Sequence, residues 1–581
     1  MKSIASRRFL VAVMMTSLGF HSGCKSADDG DTGGNGGDSG GGAGGGSGGG
    51  AAAGENGSGG GGGDNPSGTG GNGNPGNGGS KTGGSNAGGT MATQTGGTPG
   101  SDPGVAVLSR PVDMNGWGAP YRITVPSGVV LRQGGTALLT TPKLPKQLPL
   151  HSELSRTMQV LRSSTAQKPN RLKVLFYGQS ITRQPWWEEV IKWFETTYPT
   201  VKFEFSMQAA GGKAANMMRR ASEQDVIPMQ PDLIIYQNYG GYEDIDAIIR
   251  DWRTRTTAEI MLQTWHLGNE NDFPNGNDRM SYLYMPNVCE RYGCYLLDVR
   301  TAWRDYVKAK NLANGALTSD GVHLNDEGIA LMAKLVIDAF KNHPQSGVPA
   351  DPMHLVETFE IGKDLSWYQG RLLADFDGTR IDIVAAPNAN IAADVATVTI
   401  DGKKPSEFPE AYAFTRPNSS GKLIDMPEPG WPWALGAPMR IDRNAKLLVE
   451  DWTLTITQRN GNDFQFSVAG SVTGNDGNGS RNAKFTSTSG RVVISPDDWH
   501  TDDGKNGFNI STNKVVWKAI ALHTDSYPPT AIAANPSQPQ PATMIIAGLP
   551  NRRHRIELKT KDGKPLPLTD VRVYRPPVLV R

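Results

Sequence analysis

The sequence predicts an α/β domain followed by an all-β region. Between Arg171 and about His343, strand-like and helix-like segments take turns, the pattern of a parallel sheet covered by helices. After Gly347, short strand-like runs punctuated by Gly, Asn, Asp and Pro replace that alternation, as in a sandwich or jelly roll. A third observation sets the folded part apart: from about Asp28 to Gly104 the chain is almost entirely Gly, Ser, Asn, Thr and Asp, and holds about half of its 72 glycines.

The chain begins "MKSIASRRFLVAVMMTSLGFHSGC", with a basic start, an apolar stretch from Phe9 to Phe20 and then small residues. That stretch is too short for a membrane span and reads as an export signal over residues 1–24. Arg7-Arg8 before Phe9-Leu10 fits twin-arginine export. Ser22-Gly23-Cys24 has the form of a lipidation site, with Cys24 as the lipid-bearing residue, although His21 stands where such sites carry leucine. Ordinary secretion is the alternative. Residues 25–104 cannot bury enough apolar area to offset their ordering entropy and read as a flexible tether.

Residues 105–165 read as a β-rich segment, because "YRITVPSGVVLRQGGTALLTT" alternates and turns like short strands. The α/β domain is expected over 166–345. Its strands are "LKVLFYG", "VKFEFSM", "DLIIYQN", "AEIMLQTW" and "CYLLDV". "PWWEEVIKWFETTY" is an amphipathic helix with Pro185 at its start, and "DEGIALMAKLVIDAF" closes the domain. Residues 346–581 form the β region, with strands such as "GTRIDIVAA", "WTLTITQRN", "TMIIAGL" and "HRIELKTKDGKPL".

The 581 residues carry a formal net charge of +1 and no basic stripe, which argues against nucleic acid as a partner. Besides Cys24 there are two cysteines, in "CERYGC". In an oxidising compartment Cys289 and Cys294 could form a short disulfide or remain two buried thiols. No second Cys/His pair stands nearby to complete a zinc site. The polar loops "GNENDFPNGND" and "TGNDGNGSRN" match no ordered calcium loop and read as solvated turns. Neither metal nor cofactor is expected.

The chemistry begins at "RLKVLFYGQSIT", where a strand ends in Gly178-Gln179-Ser180. In a parallel sheet, catalytic residues sit beyond the strand C-terminal ends. A serine hydroxyl needs a base to take its proton, and the base needs an orienting partner. Asp-x-x-His occurs at Asp320/His323, Asp351/His354 and Asp497/His500. Only the first lies on a loop just before the last helix of the α/β region.

"FYGQSIT" and "DGVHLNDEG" together resemble the first and last blocks of the SGNH (GDSL-type) hydrolases, over about Leu172 to Phe340. The resemblance implies a flavodoxin-like three-layer domain, with Ser180 as nucleophile, His323 as general base and Asp320 as its orienter. Gln179 stands where the family usually has Asp. The family's oxyanion donors, a serine N–H, a glycine N–H and an asparagine side chain, would fall on Ser180, on Gly212 (with Gly211 the alternative) and on Asn238, though the usual Gly-x-Asn-Asp is absent.

A serine and base of this kind imply acyl transfer to water. Trp186, Trp187, Tyr239, Tyr242, Trp265 and His266 are the aromatic groups near the predicted sheet edge. Trp186 and Trp187 have core spacing, whereas Tyr239, Trp265 and His266 follow strand ends and are the candidate substrate contacts. An SGNH domain joined to a β region resembles bacterial carbohydrate esterases. The expected substrate is therefore an acylated, above all acetylated, extracellular polysaccharide. The membrane would be met only through the N-terminal lipid. A lipid or short-chain esterase, and a surface glycan-binding protein without activity, are the competing expectations.

Overall fold

The computed structural model describes residues 152–270, 275–348, 350–386, 389–419, 437–460, 463–499, 513–528 and 542–578, with the backbone of the strand β1, Ala106–Leu108. The expected export signal, Cys24, the tether and the strands of residues 121–141 lie outside these.

The α/β domain holds five parallel strands: β2 Arg171–Gly178, β3 Lys202–Ala209, β4 Leu233–Gln237, β5 Glu259–Gln263 and β6 Tyr295–Leu297. They lie side by side in the order β3-β2-β4-β5-β6. Counted within the domain this is the order 2-1-3-4-5, the flavodoxin-like arrangement. Its helices are α1 Ser155–Ser163, α2 Ser180–Arg183, α3 Trp186–Thr197, α4 Ala215–Asp225, α5 Tyr242–Arg255, α6 Gly276–Arg279, α7 Met285–Tyr292, α8 Val299–Ala309 and α9 Asp326–Lys341.

Strand alternation sorts the apolar side chains to two faces. Leu172, Val174 and Phe176 pack with Met158 of α1, Val190 and Phe194 of α3, Trp303 of α8 and Met332 and Val336 of α9. Leu175 and Tyr177 pack on the other face with Met218 of α4, Ile248 and Trp252 of α5 and Val288 of α7. Sheet and two helical layers make the three-layer domain. Trp186 and Trp187 behave as their spacing predicts. Trp186 is fully buried, donates its indole N–H to the Ile181 carbonyl at 2.7 Å and meets Phe176 edge-on. Trp187 packs half-buried on the same core.

One boundary moves. Residues 152–163 are helical rather than β, because Leu154, Met158 and Leu161 recur at helical spacing and fill the first core. Buried Glu259 at the start of β5 accepts the Arg156 and Thr157 amides of this helix at 3.0 and 2.7 Å.

The β region has two larger antiparallel sheets. One contains Arg371–Ala385 and the 18-residue strand Thr543–Thr560, and β1 joins it by parallel pairing with Arg371–Ala385. "TMIIAGL" and "HRIELKT" therefore belong to one strand that ends at Thr560, and its register shifts between Ala547 and Arg552. The other sheet holds Glu450–Asn460, Asp463–Gly470 and Lys514–Ala521. Its edge strands are Tyr412–Phe414 and Gly474–Ser480, the latter within the polar stretch expected to be a turn. Backbone pairing with Asp463–Gly470 holds that strand without apolar side chains. Each sheet has its own apolar cluster, around Phe376 and Ile383 and around Trp452 and Trp517.

The β region docks on the face of the domain that carries α4. Arg416 makes a two-pronged bond to Asp225, both prongs at 2.7 Å, and Arg220 reaches Asp498 at 2.6 Å. Met439 is buried within the α4–α5 core.

Strand β2 must end where β3 and β4 flank it. Gly178 has φ +155°, and a β-carbon there would come within 1.9 Å of the Gln237 carbonyl oxygen and 2.3 Å of the Thr182 hydroxyl. Gly178→Ala should therefore destabilise the domain by about 3 kcal/mol. Gly276→Ala, where nothing stands within 4 Å, should stay within about 0.5 kcal/mol of wild type. Denaturant unfolding of the two variants checks the contrast.

Candidate active site

Ser180 is the first residue of α2, directly after β2. In this strand order the chain leaves β2 at the switch point between β3 and β4, where open α/β sheets form their ligand crevice. The serine is half-buried.

Asp320 and His323 lie on the loop that leads into α9. His323 Nδ1 donates to Asp320 Oδ2 at 2.6 Å, and the other oxygen, Oδ1, accepts the backbone amides of Val322 and His323 at 2.9 and 2.7 Å. These bonds, led by the imidazole, hold the Asp320 carboxyl far below the usual carboxylate range. The carboxylate therefore stays ionised and keeps the Nδ1–H tautomer, leaving Nε2 free to accept a proton. Both side chains face solvent, His323 at 42 % and Asp320 at 54 % exposure. His354 instead pairs with Glu357 at 3.2 Å. His500 lies outside the described residues.

Every backbone polar group from Val322 to Leu324 is occupied. The Val322 carbonyl accepts from His266 Nε2 at 2.7 Å, and the His323 carbonyl accepts from the Ser319 amide at 2.7 Å. Leu324 donates its N–H to Gln184 Oε1 at 2.9 Å and accepts from Gln184 Nε2 at 2.8 Å. Gln184 caps the C-terminus of α2, the helix that Ser180 begins. The amide thus ties the helix that Ser180 begins to the loop of His323. Sequence reasoning missed Gln184, since a side chain that pairs with distant backbone has no periodic signature.

The expected substrate contacts divide. Trp265 and His266 are 5 % and 2 % exposed, so both brace the site from inside. Trp265 donates its indole N–H to the Asn238 carbonyl at 2.7 Å. His266 must carry its proton on Nε2, because a carbonyl only accepts, and its Nδ1 then accepts from the Tyr239 hydroxyl at 3.2 Å. Tyr239 is half-buried and packs on Trp265. Tyr242 stacks on Tyr284 at 4.7 Å. Buried Arg300 holds this segment by donating to the His266 carbonyl at 3.1 Å while pairing with Asp278 at 2.7 Å and with Glu270. Gly268 packs so closely that a β-carbon would stand 2.2 Å from the Gly321 carbonyl oxygen.

The oxyanion expectations meet a mixed result. A β-carbon on Gly211 would lie 4.0 Å from Ser180 Cβ, whereas Gly212, with φ +71°, has nothing within 4 Å. Gly211, the alternative, is thus the glycine shown beside the serine. The Asn238 side chain, directly after β4, is wholly buried. Cys289 and Cys294 are free, buried thiols rather than a disulfide, flanking Gly293, the left-handed residue that ends α7.

No family profile and no curated protein matches this sequence. Solved structures do. An acetyl xylan esterase is 23% identical over 29% of this chain and 99% of its own, with a TM-score of 0.26. A two-domain esterase active on acetylated mannans is 14% identical over 73% of this chain and 95% of its own, at 0.29. A putative GDSL-like lipase from Parabacteroides merdae is 16% identical over 29% and 95%, at 0.26.

Burial lowers the His266 pKa from the ordinary 6.5 to about 4. The folded state thus keeps this imidazole neutral while the unfolded chain protonates it. Stability from this group is complete above about pH 6.5 and falls as the pH drops towards 4, by on the order of 3 kcal/mol in total. His266→Gln, which keeps a donor near the Nε2 position, should lose less stability than wild type between pH 6.5 and 4. Urea midpoints measured across that range check this.

Proposed function

We propose that this chain is a serine ester hydrolase that removes acyl groups, acetyl above all, from an extracellular polysaccharide. The observation that carries the proposal is the Asp320–His323 pair, with Nδ1 fixed on the carboxylate, on a loop tied through Gln184 to the helix that Ser180 begins. In this mechanism His323 Nε2 takes the Ser180 hydroxyl proton as Oγ attacks the ester carbonyl. The resulting imidazolium is stabilised by the Asp320 carboxylate and then protonates the departing sugar oxygen. Water, deprotonated by the same imidazole, attacks the acyl-serine and releases the acid. The Ser180 and Gly211 amides are the proposed donors to the tetrahedral oxyanion.

The surroundings favour a small acyl group on a large polar alcohol. Asp320 and His323 are open to solvent. Among the described residues the exposed large apolar side chains are Val322, Val449 and Val472, of which Val322 lies between Asp320 and His323 in the chain. A long acyl chain would find little apolar surface there, whereas a polymer could lie across an open site. The N-terminal sequence supports an exported enzyme, lipid-anchored through Cys24 and set away from the membrane by its Gly-rich tether.

Ser180→Ala and His323→Ala should each lower kcat for p-nitrophenyl acetate at least about 10³-fold. Wild type should release acetate from acetylated xylan or mannan and should cleave p-nitrophenyl palmitate far more slowly than the acetate. Equal rates in wild type and the Ser180→Ala protein would refute the triad.

A further inference from the structure

We propose that Gln184 is a positioning residue of the hydrolase, setting the His323 imidazole against Ser180. The proposal rests on the triad reading above.

The geometry is specific. Gln184 uses both edges of its amide on one residue, Leu324, accepting its N–H at 2.9 Å and donating to its carbonyl at 2.8 Å. This is the pairing one β-strand residue offers another across a ladder, made here by a side chain. Two such bonds in one plane fix direction as well as distance, so Leu324 cannot swing without breaking both. Residues 180–184 form one short rigid unit. Ser180 opens α2, the Arg183 amide bonds back to the Gln179 carbonyl at 3.1 Å and the Gln184 amide to the Ile181 carbonyl at 3.2 Å. Leu324 is the residue after the base and is itself buried. A displacement of α2 thus carries the His323 backbone with it, and the distance between nucleophile and base is conserved. The His266 bond to Val322 holds the other side of His323, but it comes from the loop after β5 and makes no link to Ser180.

An internal control exists. Gln224 makes the same two-edged pairing with Ile441, at 3.3 and 3.2 Å, where α4 meets the β region. Gln224→Ala removes an equivalent pair of hydrogen bonds from a place with no part in the reaction.

The test is a double-mutant cycle in the full chain with p-nitrophenyl acetate, together with the rate at which a fluorophosphonate labels Ser180. Gln184→Ala should lower kcat about 10- to 100-fold with KM within about twofold, and should slow labelling by a similar factor. In a His323→Ala background the same change should alter the residual labelling rate less than about twofold, because its effect runs through the imidazole. Gln224→Ala should leave kcat within about twofold of wild type. Gln184→Met, close in size, should reproduce the loss if Gln184→Ala unfolds. A folded Gln184→Met protein with wild-type kcat, or an equal loss with and without His323, overturns the proposal while leaving the triad standing. Wild-type rates in Ser180→Ala or His323→Ala would instead overturn the triad and this proposal together.

Discussion

The site depends on how β2 ends. The strand is hydrogen-bonded on both sides, by β3 through Ala209 and by β4 through Gln237, so the chain must leave the sheet between two backbones. Gly178 makes the exit possible because a side chain there would overlap the Gln237 carbonyl. Thr182 then bonds that same carbonyl at 3.3 Å, folding the chain into α2 at once. The serine is therefore placed by the sheet itself, at the point where strand order reverses, and needs no loop of its own.

The loop that carries His323 has no such support. The loop follows α8, and its Asp320 and His323 side chains are exposed. Its order comes from backbone groups that are all occupied, by Asp320, Ser319, His266 and Gln184. Hydrogen bonds of this kind are worth only about 1 kcal/mol each. Their effect is geometric: they remove the alternative orientations of a solvent-facing peptide segment. Asp320 thereby has two tasks, one oxygen for the imidazole and the other for the turn that carries it.

Much of this was legible in the sequence, and what was not shares one physical character. Strands such as "LKVLFYG" and the spacing of Trp186, Val190 and Phe194 declare themselves through periodicity, and Ser180, Asp320 and His323 through short-range pattern. Leu154, Met158 and Leu161 carried a helical signal that the alternation upstream obscured. Trp265 and His266 read as surface groups because they follow a strand end. Burial came from later chain: Ser281 accepts the Trp265 amide at 3.3 Å and Arg300 holds the His266 carbonyl. Gln184 and the strand Gly474–Ser480 were hidden for a related reason. Gln184 pairs with backbone 140 residues away, and Gly474–Ser480 is held by the backbone of the preceding strand, neither of which residue identity encodes.

The paired amides also bear on how the β region is attached. Gln224 on Ile441, Arg416 on Asp225 and Arg220 on Asp498 all anchor to α4, and the Gly211–Gly212 turn lies between β3 and that helix. Two-edged and two-pronged bonds resist rotation where a single hydrogen bond would act as a hinge. Such an attachment suits a β region that stays fixed relative to the α/β domain. A swinging arrangement would need looser contacts at α4 than the charged and amide pairs seen there.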